Sequence, residues 1–565
     1  MRLSADDATR PEEAVAQRGG VRWGRHWACV HYASLVAGFF ALLWVDRHQW
    51  FYADEWEFIH RFVAPSGAGL FVPHSEHWVT VPLLIWRGLF AVVGVRSYVP
   101  YVAVLLLTHV AIVHMVWRLM RRNGVTTWIA TCISLVVLSG GVGFENIIQA
   151  FQIAFTIPVL TALIAARVLE GTDRERLRVG AAWALLVIGL MSSAIGVAMT
   201  AAVFVTALLR WGWRRAAVVV SVPAIVFLVW AITEHALGTT TPGPRSDYLS
   251  LGDYIWTGLS SLASFTGIPV GAVLVIALGW WIVTRWDLAR EHTTIFAMAI
   301  SAPLLYLFIG QGRVSFGPDE ASSSRYLYVA VILVIPAGAL AVSVLQRRTW
   351  AWRGAAAALL VGALLHNGAL LYSQAGTFAK IKQASREQIL AAVPMVGNGK
   401  TLGTLPDPVV APNLSGSDLT TLAQRGDLPG DDAPTDVAKL SAETALNVEL
   451  GPTAAIRSTG HVTAVQHDNE KDGKPSQLDH CTDFPPLPTS DPLYVTFDRA
   501  GAISVKPTVA AVTVSVTVVD VNQLSLVVQP QTMSLGPGET RWVSVSTAQT
   551  VVAIAAPASA VEICD

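Results

Sequence analysis

The chain reads as a polytopic α-helical membrane protein with about eleven spans that ends in a β-rich domain outside the membrane. Three observations predict this. Of its 565 residues, 53% are hydrophobic and only 14% charged, against about 25% charged in soluble domains. Long apolar runs succeed one another to about residue 375, after which the chain turns polar, with about twenty Asp and Glu against about a dozen Lys and Arg. Past about residue 490 short alternating apolar runs appear, broken by turn residues. The formal net charge of −1 conceals this division. No basic face or arm is present, which excludes a nucleic-acid partner.

A span needs about 20 apolar residues. The runs at 27–45, 98–118, 126–142, 151–168, 179–193, 194–210, 216–233, 269–285, 293–311, 326–346 and 354–372 supply eleven candidates. The fifth and sixth are short and share a turn at Met191, Ser192 and Ser193. Arginine clusters mark the short loops: Arg18, Arg22 and Arg25; Arg118, Arg121 and Arg122; Arg174, Arg176 and Arg178; Arg210, Arg214 and Arg215; Arg285 and Arg290; Arg347, Arg348 and Arg353. With eleven spans all of them fall on one side, which is then cytoplasmic. Residues 1–26 are therefore expected inside, 27–375 in the plasma membrane and 376–565 outside. This count requires 79–95, with Arg87 at its middle, to lie in the outer interface rather than cross it. The amphipathic run 251–267 is read the same way. The first span follows a charged segment and reads as a signal anchor.

The tail opens with an expected helix around 376–393 and a Pro/Gly/Asp-rich region to about 490. LYVTF, AISV, AAVTVSVTVV, LSLVV, RWVSVS and TVVAIAA then predict strands of a sandwich or jelly-roll-like domain, with a turn at GPGE, 536–539. Cys29 and Cys132 fall inside apolar runs as packing residues. Cys481 and Cys564 both lie in the tail, in an oxidising compartment by this topology, and are expected to form a disulfide. No HExxH or paired-cysteine metal pattern occurs.

The outer face gathers the polar chemistry. WFYADEWEF follows the first span and carries Asp54, Glu55, Trp56 and Glu57; PHSEHW adds His74, Glu76 and His77. Glu145 follows the third span, and GRVSFGPDEASSSRYLY supplies Arg313, Arg325 and Tyr326. Ionisable groups beside a bilayer are costly unless they meet water, a cation or a substrate. A carboxylate takes a proton from an attacking hydroxyl, arginines fix and neutralise a phosphate, and aromatic faces stack on sugar rings. Together these describe glycosyl transfer from a polyprenyl-phosphate sugar delivered by the membrane.

The acidic ADEW segment after the first span, the interfacial helix after it, the many spans and the late-loop GR…SSRY resemble the GT-C superfamily of integral membrane glycosyltransferases, in its bacterial form. The resemblance covers the topology of 1–375 and these short motifs, not the tail. It implies Asp54 as catalytic base with Glu55 as its acidic neighbour, and Arg313 and Arg325, with Tyr326, on the donor phosphate. The acceptor would be a cell-envelope glycan or a lipid-linked saccharide, as in cell wall biogenesis, and in-line displacement would invert the anomeric carbon.

Each assignment has a plainer counterpart. Asp54 or Glu55 caps a helix start, Arg325 anchors a span, and Trp56 and Tyr326 are belt aromatics. Glu57 is a solvated helix face, and His74, Glu76 and His77 either pack a loop or contact substrate. These three are also the candidate ligands for a divalent cation, although the chemistry requires no cofactor. Glu145 lines the same outer face. Two rival functions remain at the sequence level: a glycan ligase or polymerase using a lipid-pyrophosphate saccharide, and an envelope-lipid transporter or flippase, which would carry internal repeats and more mid-span charges.

Overall fold

The computed structural model describes residues 11–64, 69–234, 248–268, 271–396, 405–430, 433–451, 462–466, 476–477, 481–488, 492–497, 500–519, 531–545 and 550–564. The expected strand LSLVV, 524–528, lies outside them. The helices are α1 (Pro11–Val45), α2 (Asp54–Val63), α3 (Thr80–Val93), α4 (Val99–Arg122), α5 (Thr127–Ser139), α6 (Glu145–Ile148), α7 (Ile153–Leu169), α8 (Glu175–Leu190), α9 (Ile195–Trp211), α10 (Trp213–Thr233), α11 (Tyr248–Ser261), α12 (Gly271–Thr284), α13 (Trp286–Glu291), α14 (Thr293–Arg313), α15 (Ser324–Leu345), α16 (Trp350–Val396), α17 (Gly416–Arg425) and α18 (Asp436–Asn447). The strands are β1 (Val448–Gly451), β2 (Val462–Gln466), β3 (Ser476–Gln477), β4 (Cys481–Phe484), β5 (Leu493–Phe497), β6 (Gly501–Pro507), β7 (Val512–Val519), β8 (Gln531–Leu535), β9 (Arg541–Val545), β10 (Thr550–Ala555) and β11 (Val561–Cys564). The chain forms two units: 1–49, 68–89 and 98–378, and 50–67, 90–97 and 379–565.

In the first unit the apolar runs fold as helices because a helix satisfies its own backbone groups where water is absent. Among the described residues, seven helices are long and apolar enough to cross a membrane: α1, α4, α7, α10, α14, α15 and α16. A chain built this way is a multi-pass membrane protein. Four more expected runs form α5, α8, α9 and α12, of 13, 16, 17 and 14 residues, short of the ~20 of a perpendicular crossing. α7 is the most enclosed of the seven. It lies close to α8 where a Cβ on Gly189 would stand 2.8 Å from Thr161 Oγ1, the small-residue contact that membrane helices favour.

Buried polar side chains tie these helices together. Asn367 of α16 accepts from the Val142 N–H at 3.2 Å and donates to the Phe265 carbonyl at 2.8 Å. His109 of α4 lies 2.8 Å from the Tyr328 hydroxyl and 3.2 Å from the Leu138 carbonyl. At one end of the unit Glu170 receives Arg122 and Arg210 at 3.3 Å each and the Thr294 hydroxyl at 2.9 Å. Thr294 lies in the first turn of α14 and Arg313 closes it, so these residues stand about 28 Å apart along the helix axis, close to the thickness of a hydrocarbon core.

The second unit holds α2, the end of α16, α17, α18 and all the strands. The expected tail helix is not separate: α16 runs unbroken for 47 residues through it. Residues 373–393 are rich in Ala and Gln, with Lys380, Lys382 and Arg386 among them, and the first proline, Pro394, comes only at the helix end. α17 begins with a capping box in which Ser415 and Asp418 cap each other's backbone N–H. The strands form two antiparallel sheets, β1-β9-β6-β11-β4 and β3-β2-β5-β10-β7-β8. Period-two alternation buries Leu493, Val495 and Phe497 of β5 and Val512, Val514 and Val516 of β7 in one core shared by both sheets. Strands begin at Val448, ahead of the alternating runs that predict them. Cys481 and Cys564 sit opposite each other in the β4–β11 ladder and form a disulfide.

Candidate functional site

The first unit assembles a polar site at the Arg313 end of α14. Residues 74–77 form a tight turn in which His74 N–H donates to the His77 carbonyl and His77 N–H to that of His74, each at 2.9 Å. Ser75 sits at φ 53° to make it. The turn holds Glu76 toward Arg313, whose Nη2 donates to Glu76 Oε1 at 2.6 Å; His77 Nε2 lies 3.7 Å from the same oxygen. Burial alone would raise the Glu76 carboxyl, but His77, the Arg313 guanidinium and a backbone hydrogen bond outweigh it and hold it below the usual carboxylate range. A cavity of about 300 Å³ opens here, lined by Glu76, His77, Gln311, Arg313 and Tyr326 and floored by Phe155, Ile195 and Phe308.

Arg325 is held in the same manner. Its Nη2 donates to Glu320 Oε1 at 2.6 Å, its guanidinium lies 5.1 Å from the Tyr326 ring centre, and its Nε is buried without a hydrogen-bond partner among the described residues. The short α6 is pinned to the start of α15. Glu145 N–H donates to Ser324 Oγ at 3.4 Å, and Asn146 Nδ2 donates to the Arg325 carbonyl at 3.1 Å. Glu145 Oε2 is buried and makes no hydrogen bond among the described residues. Burial raises this carboxyl, and Arg325 and Ser324 only partly offset that.

The structure adds two residues that sequence reasoning missed. Tyr254 of α11 and Tyr306 of α14 are fully buried, and neither hydroxyl has a hydrogen-bond partner among the described residues. Tyr254 interacts electrostatically with Tyr326, Glu320, Arg313 and Arg325. Burial, with Tyr326 and Glu320 beside it, pushes its hydroxyl up, so it stays a donor. A tyrosine in an amphipathic stretch looks like a belt residue, and only its burial reveals the difference.

His74 does not join the cavity; it is buried edge-on to Phe151, with ring centres 5.4 Å apart. Among the described residues, the ligand atoms of His74, Glu76 and His77 do not all gather within 4.8 Å of one another.

The second unit carries the acidic cluster. Tyr52, Ala53, Asp54 and Glu55 form a turn closed by Glu55 N–H to the Tyr52 carbonyl at 3.1 Å. Ala53 takes φ 49°, ψ −116°, the first central position of a type II′ turn, which favours glycine. Ala53 N–H donates to the Val410 carbonyl at 2.8 Å. The turn leaves Asp54 exposed at the first position of α2, whereas Glu55 is buried and accepts the Tyr52 N–H at 2.9 Å. Trp56 is fully buried against Trp50 and Phe51, at 5.3 and 5.6 Å between ring centres. Glu57 pairs with Arg61 one turn on at 2.6 Å. His60 Nδ1 meets the buried Asp418 of α17 at 2.8 Å. Lys382 of α16, which sequence reasoning also missed, is fully buried with Nζ 5.7 Å from the Tyr52 ring centre.

The chain matches no protein-family profile and no curated protein. Among solved structures it is similar to ArnT from Cupriavidus metallidurans bound to undecaprenyl phosphate, with 14% identity over 75% of this chain and 92% of that chain and a TM-score of 0.40. That likeness is too distant to carry an argument about this chain.

Proposed function

We propose that the protein is a membrane glycosyltransferase of the GT-C type, moving a sugar from a polyprenyl-phosphate donor to a cell-envelope glycan or glycolipid acceptor. One observation carries the reading. At one end of the membrane helices, Arg313 and Arg325 each make, among the described residues, one ion pair to a carboxylate through one guanidinium nitrogen, which leaves further N–H donors for a phosphate. Tyr254, buried beside them, offers a hydroxyl donor. The same first unit has an apolar cavity of about 470 Å³ lined by α12, α15 and α16 residues such as Trp281, Val334 and Leu360, a fitting place for an isoprenoid chain.

In the reaction, the acceptor hydroxyl attacks the anomeric carbon as its proton passes to Asp54. The bond from that carbon to the phosphate oxygen breaks, and polyprenyl phosphate leaves with a second negative charge that Arg313 and Arg325 stabilise. In-line attack inverts the anomeric centre. Neutralised by two arginines, the phosphate is a good leaving group, so the chemistry needs no metal. This reading takes about eleven spans, a cytoplasmic amino terminus and an extracytoplasmic β-rich domain that positions the acceptor. Its role is in cell wall biogenesis at the plasma membrane.

A second reading rests on His77, which shares the cavity with Arg313 and Glu76: a ligase or polymerase taking a whole saccharide from a lipid pyrophosphate. Transfer in nanodiscs from a set of labelled polyprenyl-phosphate monosaccharides, with a lipid-pyrophosphate oligosaccharide alongside, separates the two. Turnover of a monosaccharide donor is expected. Activity only with the pyrophosphate donor would overturn the first reading in favour of the second.

A further inference from the structure

Another cavity, of about 480 Å³, lies at the opposite end of α9 from the Glu76–Arg313 site. Ile195 and Ala198 at the start of α9 line the first cavity, and Arg210 and Trp211 at its end line this one, about 20 Å away along the helix. Its polar lining is Glu170, Thr172, Glu175, Arg178, Arg210 and Arg215. Glu170 is already engaged by Arg122, Arg210 and Thr294. Arg178 is half-buried: among the described residues its Nε is enclosed without a hydrogen-bond partner, and its Nη1 makes only a 3.5 Å contact with the Leu169 carbonyl. Gly171 makes room for it, since a Cβ there would stand 3.0 Å from Arg178 Cδ and 3.1 Å from Nη1. Leu169, Val179, Val218 and Val219 supply an apolar wall. Beside the cavity, Arg210 lies over the Trp211 ring at 5.5 Å and Arg214 over the exposed Trp213 at 5.7 Å, the pairing of cation and indole found at a membrane interface.

We propose that this cavity binds the phosphate of an anionic phospholipid, held by Arg178, Arg210 and Arg215, with its apolar part against the valine wall. The apolar wall and flanking indoles favour a lipid over a free anion, and the site does not depend on the glycosyltransferase reading.

The test is lipid retention by the full-length protein in neutral detergent, read by native mass spectrometry and thermal shift with phosphatidylglycerol, phosphatidylcholine or inorganic phosphate. Phosphatidylglycerol is expected to stay bound and stabilise, and the other two not. Arg178→Gln with Arg215→Gln is expected to weaken retention about tenfold or more, the scale of lost charged hydrogen bonds. Gly171→Ala, which displaces Arg178 without changing charge, is expected to weaken it as well. Arg347→Gln with Arg348→Gln removes the same charge outside the cavity and is expected to change little. Equal retention of both lipids, or equal loss in the control pair, would overturn the proposal. Displacement of phosphatidylglycerol by millimolar phosphate would assign a soluble-anion site and overturn it too.

Discussion

Two glycines on α11 make a controlled test of how that helix carries Tyr254. Replacing a helical glycine by alanine normally stabilises by about 0.5–1 kcal/mol, because the unfolded chain loses entropy. At Gly252 a Cβ meets nothing within 4 Å, so Gly252→Ala is expected to show that gain. At Gly258 the Cβ would run into the Tyr306 ring, with Cδ1 and Cζ each at 2.5 Å. Tyr306 is fully buried and cannot swing away. Forcing a methyl into such a contact costs about 1–3 kcal/mol, which exceeds the propensity gain. Gly258→Ala is therefore expected to destabilise and to push α11 off α14, displacing Tyr254 from Arg313 and Arg325. Thermal unfolding of the two variants in one detergent, followed by intrinsic fluorescence, reads the sign directly. A Gly258→Ala protein at least as stable as wild type would refute the packing, and so would a loss at Gly252.

Other outcomes follow from the same structure. Ala53→Gly relieves a sparsely populated backbone conformation that costs a non-glycine residue about 1–3 kcal/mol and is expected to raise thermal stability; a drop would mean that the turn before Asp54 is not type II′. Glu145, whose carboxyl is raised by burial, is protonated in both folded and unfolded chains below about pH 4, so its burial costs nothing there. As pH rises from the unfolded-state value toward the raised folded-state one, the unfolded chain ionises first and the fold loses stability. Glu145→Gln is thus expected to stabilise at pH 7 and to match wild type near pH 4, by melting curves at both. Reducing the Cys481–Cys564 bond, which closes a separation of 83 residues, is expected to lower the stability of the β-rich domain by about 2–5 kcal/mol. Limited proteolysis with and without reductant measures it.

The helical runs of the first unit were legible because a span must be apolar along its whole length, and β5 and β7 because their burial alternates every second residue. In sequence α16 looks like two helices, since a polarity change at 373 resembles an end although nothing there breaks a helix. β1 and β2 hid in Pro/Gly/Asp-rich surroundings, where β1 offers only four residues of pattern. At the site, Arg313 and Arg325 stood out as charges beside apolar runs. Tyr254, Tyr306 and Lys382 did not, because their role depends on complete burial, which tertiary packing decides. The division between Asp54 and Glu55 was likewise invisible in an acidic dipeptide. It arises from the turn at Ala53, which exposes one carboxylate and buries its neighbour.

Turnover of a polyprenyl-phosphate sugar by Asp54→Asn, with donor binding measured in the same preparation, tests the central claim most directly. The account predicts donor affinity close to wild type, because the arginines are intact, and a kcat lower by about 10²–10⁴-fold, the contribution of a general base. Wild-type turnover by Asp54→Asn would contradict it.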